Sequence, residues 1–142
     1  MDSNLRRSII LDNYNNPNNR QRHDNDDYIK TNSRNISCID NIDVYVKIEN
    51  NTIKDITYEG EACAISISSS SIISNLLKDK TLEEAKEIIN NYYNMIEEKE
   101  YNSDILGEAL VYDDVAKQPS RKTCATLTWH GLYKELLELN KK

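Results

Sequence analysis

At 142 residues the chain suits one domain, residues 1–142, with a core of its own. Leu, Ile and Val supply 33 residues and Phe none, so that core must come from Ile, Leu, Tyr and the single Trp129. With 18 basic against 24 acidic residues, a net charge of −6 and no basic stripe, the chain lacks what phosphate neutralisation needs, and no nucleic-acid partner is expected.

Leu5, Ile9, Ile10 and Tyr14 fall at helical spacing and predict a short amphipathic helix over 4–14. The apolar stretch inside it is too short for a secretion signal. No run approaches the roughly 18 apolar residues that cross a bilayer. A cytoplasmic protein without a membrane partner is the expectation. Residues 15–35 are polar, carry Pro17 and an acidic cluster, and read as one long loop.

Residues 42–48 alternate apolar and polar, the signal of a half-buried strand. Glu49, Asn50 and Asn51 form a turn, and 52–58 read as a second strand, so the two make a hairpin. A third, short strand is weakly signalled near 36–38. Residues 63–77 follow as a helix whose small serines, Ser66 and Ser68 to Ser71, allow close packing. Thr81 and Glu84 have capping-box spacing and open a helix to about Glu98, with Leu82, Ala85, Ile88, Ile89, Tyr92 and Ile96 on its apolar face. Residues 100–118 are irregular, with one short helical piece over 105–112. Pro119 suits the entrance to a last helix, 120–139, whose core face is Ala125, Trp129, Leu132, Leu136 and Leu139. Helix, strands, then helices is an α+β order without βαβ alternation.

Three cysteines mark the chemistry: Cys38, Cys63 and Cys124. An odd number in a reducing compartment argues against a disulfide framework. Inert buried thiols, a metal site and a reactive thiol stay open. Cys38 stands two before Asp40, so in an extended segment both point to one side. Three thiolates and one carboxylate complete the four ligands of tetrahedral zinc. Cys63 and Cys124 fall at helix starts, where amide dipoles favour the thiolate, which is both metal ligand and nucleophile. His23 and His130 have no ligand pattern around them and read as solvated or packing residues.

Four segments, in order, carry a resemblance. They are Asn15-Asn16-Pro17-Asn18-Asn19, Ser37-Cys38-Ile39-Asp40, Gly60-Glu61-Ala62-Cys63-Ala64-Ile65-Ser66, and Arg121-Lys122-Thr123-Cys124-Ala125-Thr126-Leu127-Thr128-Trp129. Together they resemble the motifs of the SufU/IscU (NifU N-terminal-like) family of iron–sulfur cluster assembly proteins. The long gap between Cys63 and Cys124 is similar to that of the SufU branch, and Thr123 stands where IscU proteins place His. Ile36, Ile39 and Ala62 replace a Pro and two Gly of the family pattern.

The resemblance implies a SufE/NifU-like α+β fold, with about three antiparallel strands and helices packed on one face. It implies zinc held by Cys38, Asp40, Cys63 and Cys124. It implies a sulfurtransferase that takes persulfide sulfur on Cys38 from a SufS-type cysteine desulfurase and passes it towards a downstream cluster assembly scaffold. Arg121 is the implied cation that steadies the thiolate or persulfide. Two other readings compete: a scaffold holding a [2Fe–2S] cluster or iron on the same ligands, and a purely structural zinc site.

Overall fold

The computed structural model describes residues 2–23, 26–34 and 40–140. The elements run α1 (Ser3–Asn15), β1 (Ile29–Arg34), β2 (Asn41–Glu49), β3 (Thr52–Glu61), α2 (Ala64–Leu77), α3 (Leu82–Ile96) and α4 (Pro119–Asn140). Three short 3-10 turns, Ser103–Ile105, Gly107–Tyr112 and Val115–Lys117, fill the segment before α4. The short helix expected over 105–112 is therefore 3-10 rather than α.

The strands form one antiparallel sheet in the order β1-β2-β3. Register follows from side-chain alternation. Val44 pairs with Tyr58 and Val46 with Ile56, and all four are buried on the face that the helices cover. The intervening pairs, Tyr45 with Thr57 and Lys47 with Asp55, point to the other face. There Tyr45 is sealed by His23, which stacks on Tyr28 with ring centroids 4.0 Å apart. His23 is thus a packing residue, whereas His130 is exposed on α4, with its Nδ1 3.2 Å from the Tyr93 hydroxyl.

Asn50 and Asn51 both take left-handed backbone, φ 52° and 62°, which gives the two-residue hairpin the twist its strands need. The loop expected over 15–35 contains β1, and this is a correction. Its residues are Ile29, Lys30, Thr31, Asn32, Ser33 and Arg34, and only the first, third and fifth face the helices. An edge strand with one apolar residue carries no hydrophobic alternation. The site suggested for a third strand, 36–38, lies outside the described residues. On the opposite edge, Asn19 and Gln21 bond to Tyr58 and extend the sheet by a parallel bridge.

α2 and α4 lie on the sheet; α1 packs on α2 and α3 on α4. α2 is buried over most of its surface, and its serines pack beside Ile67, Ile72, Ile73 and Leu77. Ser66, Ser68, Ser69, Ser70, Ser71 and Ser74 are all buried. Their hydroxyls find partners, as buried polar groups must. Ser69 donates to the Ala125 carbonyl at 2.7 Å and accepts from Trp129 Nε1 at 2.7 Å. Ser70 meets Thr128 at 2.6 Å, and Ser71 donates to Asn13 at 2.7 Å. Trp129 in turn stacks on Tyr92, centroids 3.6 Å apart. The capping box of α3 forms as its spacing predicts, with Thr81 and Glu84 bonding to each other's backbone amides.

Two glycines let backbones approach. At Gly131 of α4 a Cβ would strike Ser33 Oγ of β1. At Gly60, φ is +150° and a Cβ would run into the Asn41 carbonyl oxygen. Gly60 therefore fixes how β3 meets the start of β2, next to Asp40. Gly60→Ala is expected to destabilise the fold by about 1–3 kcal/mol, read from the urea midpoint. An unchanged midpoint removes this constraint.

Candidate metal centre

Asp40 is the residue just before β2, and it is completely buried. Cys63 is the N-cap of α2, with extended backbone and no cap bond from its own side chain. The cap comes from Asp40 instead: Oδ1 accepts the Cys63 N–H at 2.7 Å. A helix N-terminus presents unpaired amides and positive potential, and a carboxylate satisfies both. Ser66, in the first turn of α2, donates to Oδ2 at 2.7 Å. Cys63 Sγ lies 3.7 Å from the same Oδ2 and 3.6 Å from Ser66 Oγ. Cys124, in the second turn of α4, completes the group, and its carbonyl oxygen is 3.1 Å from Ser66 Oγ.

One donor atom each from Asp40, Cys63 and Cys124 lies within 4.8 Å of the others. Zinc bound tetrahedrally to sulfur and oxygen sets its donors about 3.5–3.8 Å apart. The 3.7 Å separation of Cys63 Sγ and Asp40 Oδ2 meets that requirement, so this donor set suits the metal. Three donors are described and a tetrahedral ion takes four. Cys38, the fourth residue expected from the sequence, lies outside the described residues, as do Ile36 and Ile39. Ala62 is half-buried and packs against the core.

The electrostatics pair one anion with protonated sulfur. Burial pushes the Asp40 carboxyl up, but the Cys63 amide, the Ser66 hydroxyl and the Cys124 and Cys63 thiols outweigh it, and the net shift is below the ordinary 3.8. Burial pushes the Cys124 thiol up, and neighbouring Cys63 and Asp40 push it the same way. Metal-free, the pocket is thus a carboxylate held by hydrogen bonds, with Cys124 keeping its proton.

Arg121 stands one turn before Cys124 and is exposed. It makes no ion pair among the described residues. It lines a cavity of about 510 Å³ with Arg6, Arg7, Ile10, Ile65 and Gln118, and Ile65 lies two residues from Cys63. The residue that sequence reasoning left without a role is Ser66. Its signal was its place three after Cys63, where an N3 side chain can reach back over the helix mouth.

The sequence matches the family described as NifU-like N terminal domain over residues 5–125. It is 35% identical over 131 residues to the zinc-dependent sulfurtransferase SufU of Bacillus subtilis, covering 92% of this chain and 88% of that one. It is 36% identical over 99 residues to the iron–sulfur cluster assembly scaffold protein IscU of Streptococcus pyogenes, covering 69% of this chain and 62% of that one. Its fold superposes, with TM-score 0.84 and 29% identity, on a candidate iron–sulfur cluster assembly scaffold protein for the SUF system from Fervidobacterium islandicum, covering 92% and 96% of the two chains. A three-stranded α+β fold with a buried carboxylate between two thiols thus has its family: the chain belongs to the NifU-like N-terminal domain proteins, beside the SufU and IscU relatives.

Three outcomes follow from the geometry. Cys63→Ala or Cys124→Ala is expected to lower zinc affinity by at least about 100-fold in chelator competition, since each removes a candidate ligand. If both variants hold zinc like the parent, the donor set is wrong. A Cys124 that ligates zinc must first lose its proton, so zinc affinity is expected to rise between about pH 6 and about pH 8, with acid released on uptake. A flat profile contradicts a protonated Cys124. Asp40, with its pKa lowered on folding, stabilises the metal-free protein above the ordinary 3.8, and that contribution is lost as pH falls through the lower folded value. Asp40→Asn therefore flattens the acid limb of urea stability against pH.

Proposed function

We propose that this chain is a zinc-dependent sulfurtransferase of iron–sulfur cluster assembly. The observation that carries the proposal is the buried carboxylate set between two thiols at the mouth of α2. The similarity to a zinc-dependent sulfurtransferase over 92% of the chain supports the same reading. Asp40, Cys63 and Cys124 hold the zinc, and Cys38, two residues before Asp40, is the fourth ligand. Bound zinc keeps the thiolates deprotonated and protected.

Cys38 is the acceptor. As a thiolate it attacks the outer sulfur of a persulfide on a SufS-type cysteine desulfurase. The donor's sulfur–sulfur bond breaks, the donor cysteine leaves as thiolate, and Cys38 carries the persulfide with its proton. No external oxidant or reductant is consumed. Arg121, one turn before Cys124 and unpaired with any described acid, supplies positive charge to the departing or arriving sulfur anion. A downstream cluster assembly scaffold takes the sulfur, and the reaction belongs in the cytoplasm. Among the described residues no helix is long and apolar enough to cross a membrane.

The IscU relatives favour a second reading, in which the same ligands hold a [2Fe–2S] cluster. One experiment separates the two. The anaerobically purified protein is analysed for metal, then mixed with a cysteine desulfurase and free cysteine, trapped, and mapped by mass spectrometry. About one zinc per chain and one added sulfur on Cys38 is the expected result. Sulfur on Cys63 or Cys124 alone overturns the acceptor assignment, and brown protein loaded with iron and sulfide without transfer supports the scaffold. Arg121→Ala is expected to slow transfer about tenfold with zinc content unchanged.

A further inference from the structure

Ser66 is 1% exposed and fixed in the first turn of α2. Its hydroxyl carries one proton and faces two acceptors. One is Asp40 Oδ2 at 2.7 Å, on the chain leading into β2; the other is the Cys124 carbonyl oxygen at 3.1 Å, on α4. Each acceptor belongs to a residue of the candidate metal set, and Cys63 Sγ lies 3.6 Å from the same oxygen. Ser66 thus touches all three described members without being a ligand itself.

We propose that Ser66 is the positioning residue of this centre: its hydroxyl bonds one lone pair of Asp40 Oδ2 and holds the carboxylate in orientation, leaving the other lone pair to a cation. This rests on Asp40, Cys63 and Cys124 being metal ligands. The need for such a device follows from burial. Asp40 is 0% exposed, so no bulk water replaces a partner that it gives up. A buried acceptor left without a donor costs its full desolvation. Oδ1 is anchored on the Cys63 amide and Oδ2 on Ser66, so the two bonds together fix the plane of the carboxylate. Partners of this kind orient ligands and tune their affinity.

The other buried serines of α2 supply the control. Ser74 is buried like Ser66, but it bonds the Ser71 carbonyl and Asn19, away from the centre. The full chain is loaded with zinc and competed against a chromophoric chelator, with cobalt absorption as a second reading of the ligand shell. Ser66→Ala is expected to bind zinc about 10–100-fold more weakly, while Ser66→Thr, which keeps the hydroxyl, returns to within about threefold of the parent. Ser74→Ala is expected to bind like the parent. In an Asp40→Ala background the Ser66→Ala change is expected to weaken zinc binding by no more than about twofold, because Ser66 acts through that carboxylate. Urea midpoints of the metal-free forms confirm folding, and Ser66→Gly repeats the measurement if the alanine variant does not fold.

Parent-like zinc affinity in Ser66→Ala overturns the proposal. So does an equal loss with and without Asp40, or failure of threonine to restore binding. A parent protein that binds no zinc fails earlier: it removes the metal reading itself, and with it the role of Ser66.

Discussion

A single buried carboxylate organises this molecule. Asp40 has no access to water, yet it stays ionised because four donors surround it. Two of them, the Cys63 amide and the Ser66 hydroxyl, come from the N-cap and the first turn of α2. The charge is thereby tied to the helix mouth, and the helix mouth to the start of β2. Removing either side leaves a buried group unpaired, which is the expensive way to break an interaction. Gly60 extends the same constraint to β3, since only a residue without Cβ lets that strand pass the Asn41 carbonyl. The candidate metal centre stands where these three segments are already forced together.

Around this point the packing is unusual in kind. α2 occupies the middle of the fold, and beside Ile67, Ile72, Ile73 and Leu77 it presents a row of buried hydroxyls. Small side chains let α1, α4 and the sheet come close, and each buried oxygen finds a partner on a neighbouring helix or its own. Hydrogen bonds are directional and apolar contacts are not. A serine seam therefore sets the rotation and height of α2 against α4, which is what holds Cys63 and Cys124 in one group. The Trp129 indole, bonded to Ser69 and stacked on Tyr92, locks the same interface from the α4 side.

Much of this was legible in the chain. The hairpin, the capping box of α3, the apolar face of α3 and that of α4 from Ala125 to Leu136 rest on local pattern, and local pattern survives folding; the side chain of Leu139, also expected on that face, lies outside the description. Cys63 and Cys124 could be placed at helix starts for the same reason. β1 could not be found, because an edge strand of Lys, Thr, Asn, Ser and Arg has no hydrophobic period to detect. Close packing of the α2 serines was legible in their size, but their partners were not: only hydrogen bonds to α1 and α4 let these polar side chains serve as core. Ser66 illustrates the limit. Its motif position was visible, but its work depends on Asp40 and Cys124, 26 and 58 residues away along the chain.

The poverty of β1 in apolar residues has a further consequence, for how copies of this protein meet. Among the described residues its outer edge has no strand beside it, and open edges invite cross-chain pairing into aggregates. Two copies aligned antiparallel about Asn32 would set Lys30 of each directly opposite Arg34 of the other. Like charges face to face repel across a strand pair. The feature that concealed the strand from pattern analysis thus also guards it, and lets a small sheet keep an uncovered margin in a crowded solution.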